Sequence, residues 1–318
     1  GRRGFRAVSR GHLRALIAEG DEDALIDALH HPIFSSFAGG RDDKGRSLLH
    51  DAIDAGMDRA VRALVAAGAD TGADRSGVTP LHLAAAQGRT AAAEALLDAG
   101  MDIDARTENT NADTALFLAI DAGQAEAAAL LLARGANPAL KSPDTADGMN
   151  GWHRAALAGD VAVLDLLLAR PDHDNHAAFC AAGRTRADAF RLALRAGNLG
   201  TAARLIAHGI DINRRDSEGH TPLHWLILHR QTRAEALPMI RLLLKHGADG
   251  DKAANLWGET PLMVSAKADF PEAMKLLLDK GADVTRRSNL HETALHFAAR
   301  HYTVETIELL LDNGAEID

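Results

Sequence analysis

Residues 79–100 read TPLHLAAAQGRTAAAEALLDAG, and the fold follows from this stretch. Thr79 suits a helix N-cap, where its hydroxyl can accept from the first free backbone N–H groups. Pro80 suits the first helical position, because its missing N–H would go unpaired there anyway. Leu81, Ala84 and Ala85 then form a short apolar stripe, with alanines small enough for a neighbouring helix to approach closely. Gln87-Gly88 breaks the helix. A second helix is predicted from about Thr90 to Asp98, burying Ala93, Leu96 and Leu97. Gly100 supplies a left-handed C-terminal cap. Upstream, Asp74-Arg75-Ser76-Gly77 has the composition of a tight turn. Two helices of about nine residues are too short to be stable alone, so such a unit must stack on copies of itself.

The copies are present. Thr79-Pro80-Leu81-His82 recurs as Thr221-Pro222-Leu223-His224 and Thr260-Pro261-Leu262-Met263. Weaker versions start at Ser47, Thr114 and Thr293, and degenerate ones at Asn150 and Asp188. Successive starts lie 32 to 39 residues apart. Gly68, Gly100, Gly135, Gly209, Gly281 and Gly314 each fall 21 residues after their own start, a spacing that chance does not hold across six units. Units beginning at 11 and 150 keep the spacing but place Pro32 and Pro171 there. In the unit at 221 the Gly falls 26 residues on, at Gly247, which implies five residues inserted near Gln231 to Ala236.

The Thr-Pro-Leu-His starts, Ala-Ala and Leu-Leu pairs and Gly-Ala-Asp ends resemble the ankyrin-repeat family, well over about 40–318 and divergently at 11–32. The resemblance implies an all-α solenoid of about nine stacked helix-turn-helix pairs with β-hairpin-like fingers. The organisation expected is a divergent N-terminal helix pair or cap at 1–40, repeats at 41–170, an irregular insert at 171–187 and repeats at 188–318. Arg2, Arg3, Phe5 and Arg6 could form a helix covering the first unit. A repeat array needs polar ends. Leu309 to Leu311 read as an internal unit, so the expectation is that the chain continues past Asp318 or packs there on another chain.

Composition narrows the function classes. The chain has 318 residues, 47% hydrophobic and 25% charged, as ordinary globular proteins do. The net charge of -9 argues against a nucleic-acid partner. The longest apolar run, around Ala127 to Ala133, is far short of the ~18 residues of a membrane helix. The single Cys, Cys180, excludes a disulfide framework and fits a reducing compartment such as the cytoplasm. An Arg- and Ala-rich composition with seven Lys points to a GC-rich, bacterial source. No charged-then-apolar leader precedes the repeats, and Gly1 reads as a processing or artificial boundary.

Catalytic and metal signatures are weak. There is no Gly-rich phosphate loop, nucleophile elbow or His-Glu-x-x-His string. His50, His82, His224 and His296 take the fourth position of the start motif, where the family uses imidazole to bridge neighbouring units. His173, His176 and Cys180 have metal-like or nucleophile-like composition, but lack further ligands or an orienting partner. Asp42-Asp43 and Asp144 to Asp147 lack the spacing of a calcium loop. The expectation is a non-enzymatic chain with no metal and no small-molecule cofactor.

In ankyrin proteins recognition falls on finger residues and on the residues after the Ala-Ala pair, facing a concave side that binds proteins. In the early units these positions hold Asp43, Lys44, Arg46, Asp54, Arg75, Ser76, Val78 and Gln87, all ordinary surface types apart from Val78. The last three units place His220, Leu228, His229, Leu256, Trp257, Lys267, Leu290, Arg300 and His301 there. Trp257 departs from the small or polar residue usual at that tip, and aromatic and cationic residues together are typical of binding hot spots. Trp225 and Phe297 stand where the family has Leu and are expected in the core. The reading is a scaffold with a protein partner on its concave face, with neutralisation of that partner, in the manner of an immunity protein, as its more specific version. The alternative is a regulatory or targeting domain of a larger enzyme, channel or secreted effector.

Overall fold

The computed structural model describes residues 10–31, 37–108, 111–143, 148–170, 188–229, 233–254, 257–301 and 304–317. The chain divides into two compact bodies, Gly1–Leu167 and Leu168–Asp318. The first holds helix pairs α1 (Arg10–Glu19) and α2 (Glu22–Leu29), α3 (Leu48–Asp54) and α4 (Asp58–Ala66), α5 (Pro80–Ala86) and α6 (Thr90–Asp98), α7 (Ala115–Asp121) and α8 (Ala125–Ala133), and α9 (Gly151–Ala158) and α10 (Val161–Leu168). The second holds α11 (Ala189–Arg195) and α12 (Leu199–Ala207), α13 (Pro222–Leu228) and α14 (Arg233–Lys245), α15 (Pro261–Lys267) and α16 (Pro271–Asp279), and α17 (Ala294–His301) and α18 (Val304–Asp312).

Within each body first helices stack on first helices and second on second. Thus α3 packs on α5 and α5 on α7, while α4 packs on α6 and α6 on α8; α13, α15 and α17 repeat the order in the second body. Burial follows the alanines, which let these helices approach. Leu81, Ala84 and Ala85 of α5 are buried, as expected. On α6 the buried set is Ala92, Ala93 and Leu96. Leu97, expected inside, is only half-buried, because the helix turns Ala92 inward in its place. The insertion in the unit at 221 also takes an unexpected form. It lengthens the second helix, so that α14 has 13 residues where its counterparts have eight or nine.

Ser47, Thr79, Thr114, Asn150, Asp188, Thr221 and Thr260 sit at helix N-caps, whereas position 11 lies inside α1. Thr79, Thr114, Thr221 and Thr260 accept the N–H of the residue three positions on, and Asn150 and Asp188 do the same with side-chain amide and carboxylate oxygens. In return the imidazole of the fourth residue accepts the cap's own N–H: Ser47 to His50 Nδ1 at 3.1 Å and Thr79 to His82 Nδ1 at 3.1 Å. The hydroxyls of Thr79 and Thr221 also lie 2.8 and 2.7 Å from the same nitrogens. With Nδ1 engaged as acceptor, the proton sits on Nε2. That N–H donates to the next unit's finger: His50 to Val78 O at 3.0 Å, His82 to Ala105 O at 2.9 Å, and His224 to Glu259 O at 3.2 Å.

Two units make the same bond with arginine. Arg14, fourth in the unit at 11, donates to Arg46 O at 3.0 Å, and Arg191, fourth in the unit at 188, to His220 O at 3.1 Å. In four of these five bonds the acceptor is the carbonyl just before the next N-cap. At the closing ends a second set of bonds joins neighbours. Asp104 accepts the Asn137 N–H at 3.0 Å, Asn213 that of Asp249 at 2.8 Å, and Asp251 that of Asp283 at 2.8 Å.

The fingers are short turns. Isolated bridges pair Arg41 with Ser47, Arg106 with Thr114 and Ala254 with Glu259. Asp74 accepts the N–H groups of Ser76 and Val78, as its turn composition implies. Two residues before the cap, the backbone is left-handed. Gly77 holds that place at φ +75°, and a Cβ there would lie 2.1 Å from the Glu108 nitrogen. Ala112 and His291 occupy the same place at φ 45° and 61°, and Asp269 takes the left-handed turn between helices at φ 51°, where other units have Gly. An L-residue with a Cβ is strained there.

Two expectations follow. Ala112→Gly relieves the strain and should raise stability by roughly 1 kcal/mol, read from the urea midpoint. Burial holds the His224 pKa down to about 4, from 6.5. The unfolded chain therefore binds a proton that the native state refuses between these values. Stability from this group is complete above pH 6.5 and lost as pH falls towards 4. The urea stability of wild type should fall between pH 7 and pH 4 by about 3 kcal/mol more than that of His224→Gln.

Candidate partner-binding surface

These inter-unit hydrogen bonds fix the bases of the fingers they reach, and within a unit two register positions come together. The residue just before a cap meets the residue seven after it, at the end of the first helix. Arg46 pairs with Asp54, Glu259 with Lys267 at 2.9 Å, and Glu292 with Arg300. In the unit at 114 both positions are acidic, Asp113 and Asp121. Arg154 of the following unit bridges them, with Ser142 Oγ 2.8 Å from its guanidinium and the Phe117 ring 4.7 Å away. Arg154 and Asp113 are both buried.

The sequence-predicted residues distribute as follows. Trp257 and Leu290 hold the same place, three before the cap, on consecutive fingers, and are 54% and 57% exposed. The fingers touch: the Asn289 N–H donates to Trp257 O at 2.8 Å. Lys267 and Arg300 lie behind them at the helix ends, both over the Phe297 ring, at 5.8 and 5.7 Å from its centroid. Leu228 is exposed, and His229 is exposed with its ring stacked on Trp225 at 4.5 Å. His220 is half-buried, with Nδ1 3.6 Å from Glu218 and its carbonyl taken by Arg191. Leu256 and the side chain of His301 lie outside the described residues, as do His173, His176, Cys180 and Asp144 to Asp147. Among the described residues no group of three or more His, Cys, Asp or Glu could hold a metal ion, and no helix is long and apolar enough to cross a membrane.

Phe297 is buried as expected, but Trp225 is only half-buried. Its indole exceeds the space of a Leu and leans out to the helix end, where His229 covers it. Sequence reasoning missed Arg14 and Arg191 as equivalents of the motif histidine. Their place, fourth in each unit, was the available signal.

Comparison with known proteins agrees with this architecture. A family model described as ankyrin repeats (3 copies) matches residues 5–107, 49–142, 152–253 and 228–318, and the chain belongs to the ankyrin-repeat family. Neurogenic locus notch homolog proteins 1 and 2 of Homo sapiens are each 33% identical over 135 residues, 42% of this chain. The match spans only 5% of the length of those relatives. Among solved structures, the human ASB11 ankyrin repeat domain aligns at a TM-score of 0.56 and 24% identity, over 76% of this chain and 100% of that one. The ankyrin repeat domain of Bcl-3, described as a unique member of the IkappaB protein family, aligns at 0.61 and 24%, over 74% and 100%. At that identity the likeness concerns fold alone. Ankyrin repeats mark the chain as a protein-interaction scaffold.

Removing Arg154 leaves the buried Asp113 carboxylate without its cation. Arg154→Met should therefore cost about 3 kcal/mol, measured by urea unfolding of the full chain.

Proposed function

We propose that the chain is a non-enzymatic scaffold that binds a protein partner with the fingers and first-helix ends of its last three units, the side the family uses as its concave face. The observation that carries this reading is the exposure of Trp257 and Leu290 at one register position of adjacent fingers. Large apolar side chains held out on short, hydrogen-bonded turns are rigid anchors, which lose little conformational entropy on binding. His220, Leu228, His229, Lys267 and Arg300 complete the proposed surface, to which the sequence register alone adds Leu256 and His301. Net charge of -9 suits neutralisation of a basic toxin or enzyme, and the single Cys suits a cytoplasmic setting. A second reading, a regulatory or targeting domain within a larger protein, draws support from the 5% of the notch homologues that the match spans.

Affinity capture from lysate of the source organism, read by mass spectrometry for wild type and Trp257→Ala side by side, tests the assignment. A protein held by wild type and lost by Trp257→Ala is expected. Equal retention by both would move the site elsewhere on the scaffold.

A further inference from the structure

The ion pairs made by the residue seven after the cap have opposite polarity in the two bodies. In the first body the cation is inside and the carboxylate outside. Arg46 is 23% exposed beneath Asp54 at 45%, and Arg154 is 8% exposed beneath Asp121 at 45%. In the second body the carboxylate is inside. Glu259 is 7% exposed beneath Lys267 at 49%, and Glu292 is 16% exposed beneath Arg300 at 61%. In each of these pairs the outer member is the more exposed to solvent. The position seven after the cap therefore offers acceptor oxygens at Asp54 and Asp121 of the first body and donor N–H groups at Lys267 and Arg300 of the second, while Ala86, Leu157 and Leu228 hold it in other units. Arg195, at this position in the unit at 188, is also exposed and cationic.

Glu259 and Glu292 tie Lys267 and Arg300 to the two fingers that carry Trp257 and Leu290, and both cations lie over the Phe297 ring. The surface thus has exposed apolar anchors at the finger tips and exposed cations behind them, with their neutralising carboxylates turned inward. We infer that these fingers take a peptide segment of a partner protein in which Asp or Glu residues flank a large apolar side chain. The apolar residue packs against Trp257 and Leu290, and the flanking carboxylates accept from the spare N–H groups of Lys267 and Arg300. This specifies the partner chemistry of the surface proposed above and rests on that reading. The chain's overall acidity would suggest a basic partner; the inward-turned carboxylates reverse that expectation locally.

The test is a selection of random dodecapeptides displayed on phage against the full chain, followed by titration of the strongest peptide, fluorescein-labelled, by anisotropy. Peptides rich in Asp and Glu around Trp, Phe or Leu are expected, with binding that weakens as salt rises. Trp257→Ala should weaken the selected peptide by about 30-fold. Lys267→Gln with Arg300→Gln should weaken it by roughly 10-fold and flatten the salt dependence. Lys267→Arg with Arg300→Lys keeps both charges and should bind within about two-fold of wild type, as should Asp54→Asn with Asp121→Asn. Circular dichroism of each variant separates lost binding from lost fold.

Selection of basic or uncharged peptides overturns the inference while leaving the scaffold reading intact. So does a peptide that needs Trp257 but ignores the Gln pair. A dimer dispersed by Asp54→Asn with Asp121→Asn would assign the cations to a second copy of this chain, which also overturns it. No enrichment on any variant removes both the inference and the surface on which it rests.

Discussion

One hydrogen bond recurs through both bodies. A donor on the fourth residue of a unit reaches the carbonyl at the base of the next finger. That carbonyl lies where finger meets helix and already accepts within its own finger, from the N–H of Asp42 at Arg46 O, of Asp74 at Val78 O and of Asp216 at His220 O, each at 2.9 Å. The crossing donor takes the second lone pair of that oxygen, so the bond adds a tie between units to a carbonyl its finger has already paired. Imidazole serves well because it does two things at once. Nδ1 closes the cap of its own unit, and Nε2–H crosses to the neighbour. Protonation would end the first role, so burial that keeps the ring neutral also keeps the joint closed. Guanidinium lacks an acceptor and cannot close a cap, but it carries enough donors to do more at the far side. Arg191 reaches both the His220 carbonyl and the Asp216 carboxylate, at 3.1 and 2.6 Å.

The placement of the candidate surface depends on this joint. Helices of seven to ten residues have little stability alone, and a finger of a few residues has less. Anchored at its base, a finger holds its tip residue at a set distance from the helix end behind it. The ion pairs between the two then decide which charge faces outward. The same backbone can therefore present carboxylates in one unit and cations in another, with no change in the stack.

Much of the fold was legible because its signals are local and periodic. Thr, Pro and Gly act through backbone conformation, which a single residue type controls, and repetition every 32 to 39 residues separates the signal from chance. Even Asn150 and Asp188 were placed by spacing, and their side chains cap as threonine does. What escaped the sequence depends on packing. Arg14 and Arg191 look like surface charges until the neighbouring finger is in place. Leu97 and Ala92 differ by a small rotation of one helix. Lys267 and Glu259 are both charged residues on paper, and only the stack buries one and leaves the other in water. The exposed tips, Trp257 and Leu290, were legible as departures from the family pattern; the polarity behind them was not.

Three residues keep a left-handed backbone without being glycine: Ala112, Asp269 and His291. Each stands where sister units have kept Gly, so each marks a point where the chain has drifted from its own period. Two of the three belong to the units that carry Trp257 and Leu290. His291 directly follows Leu290, and Asp269 has acquired a bond of its own, accepting from Thr306 Oγ1 at 3.0 Å. A chain rebuilt from averaged units would shed this strain, and with it the individuality of its fingers. The departures from Gly are thus recorded in torsion angles, two of the three in the units with exposed finger tips.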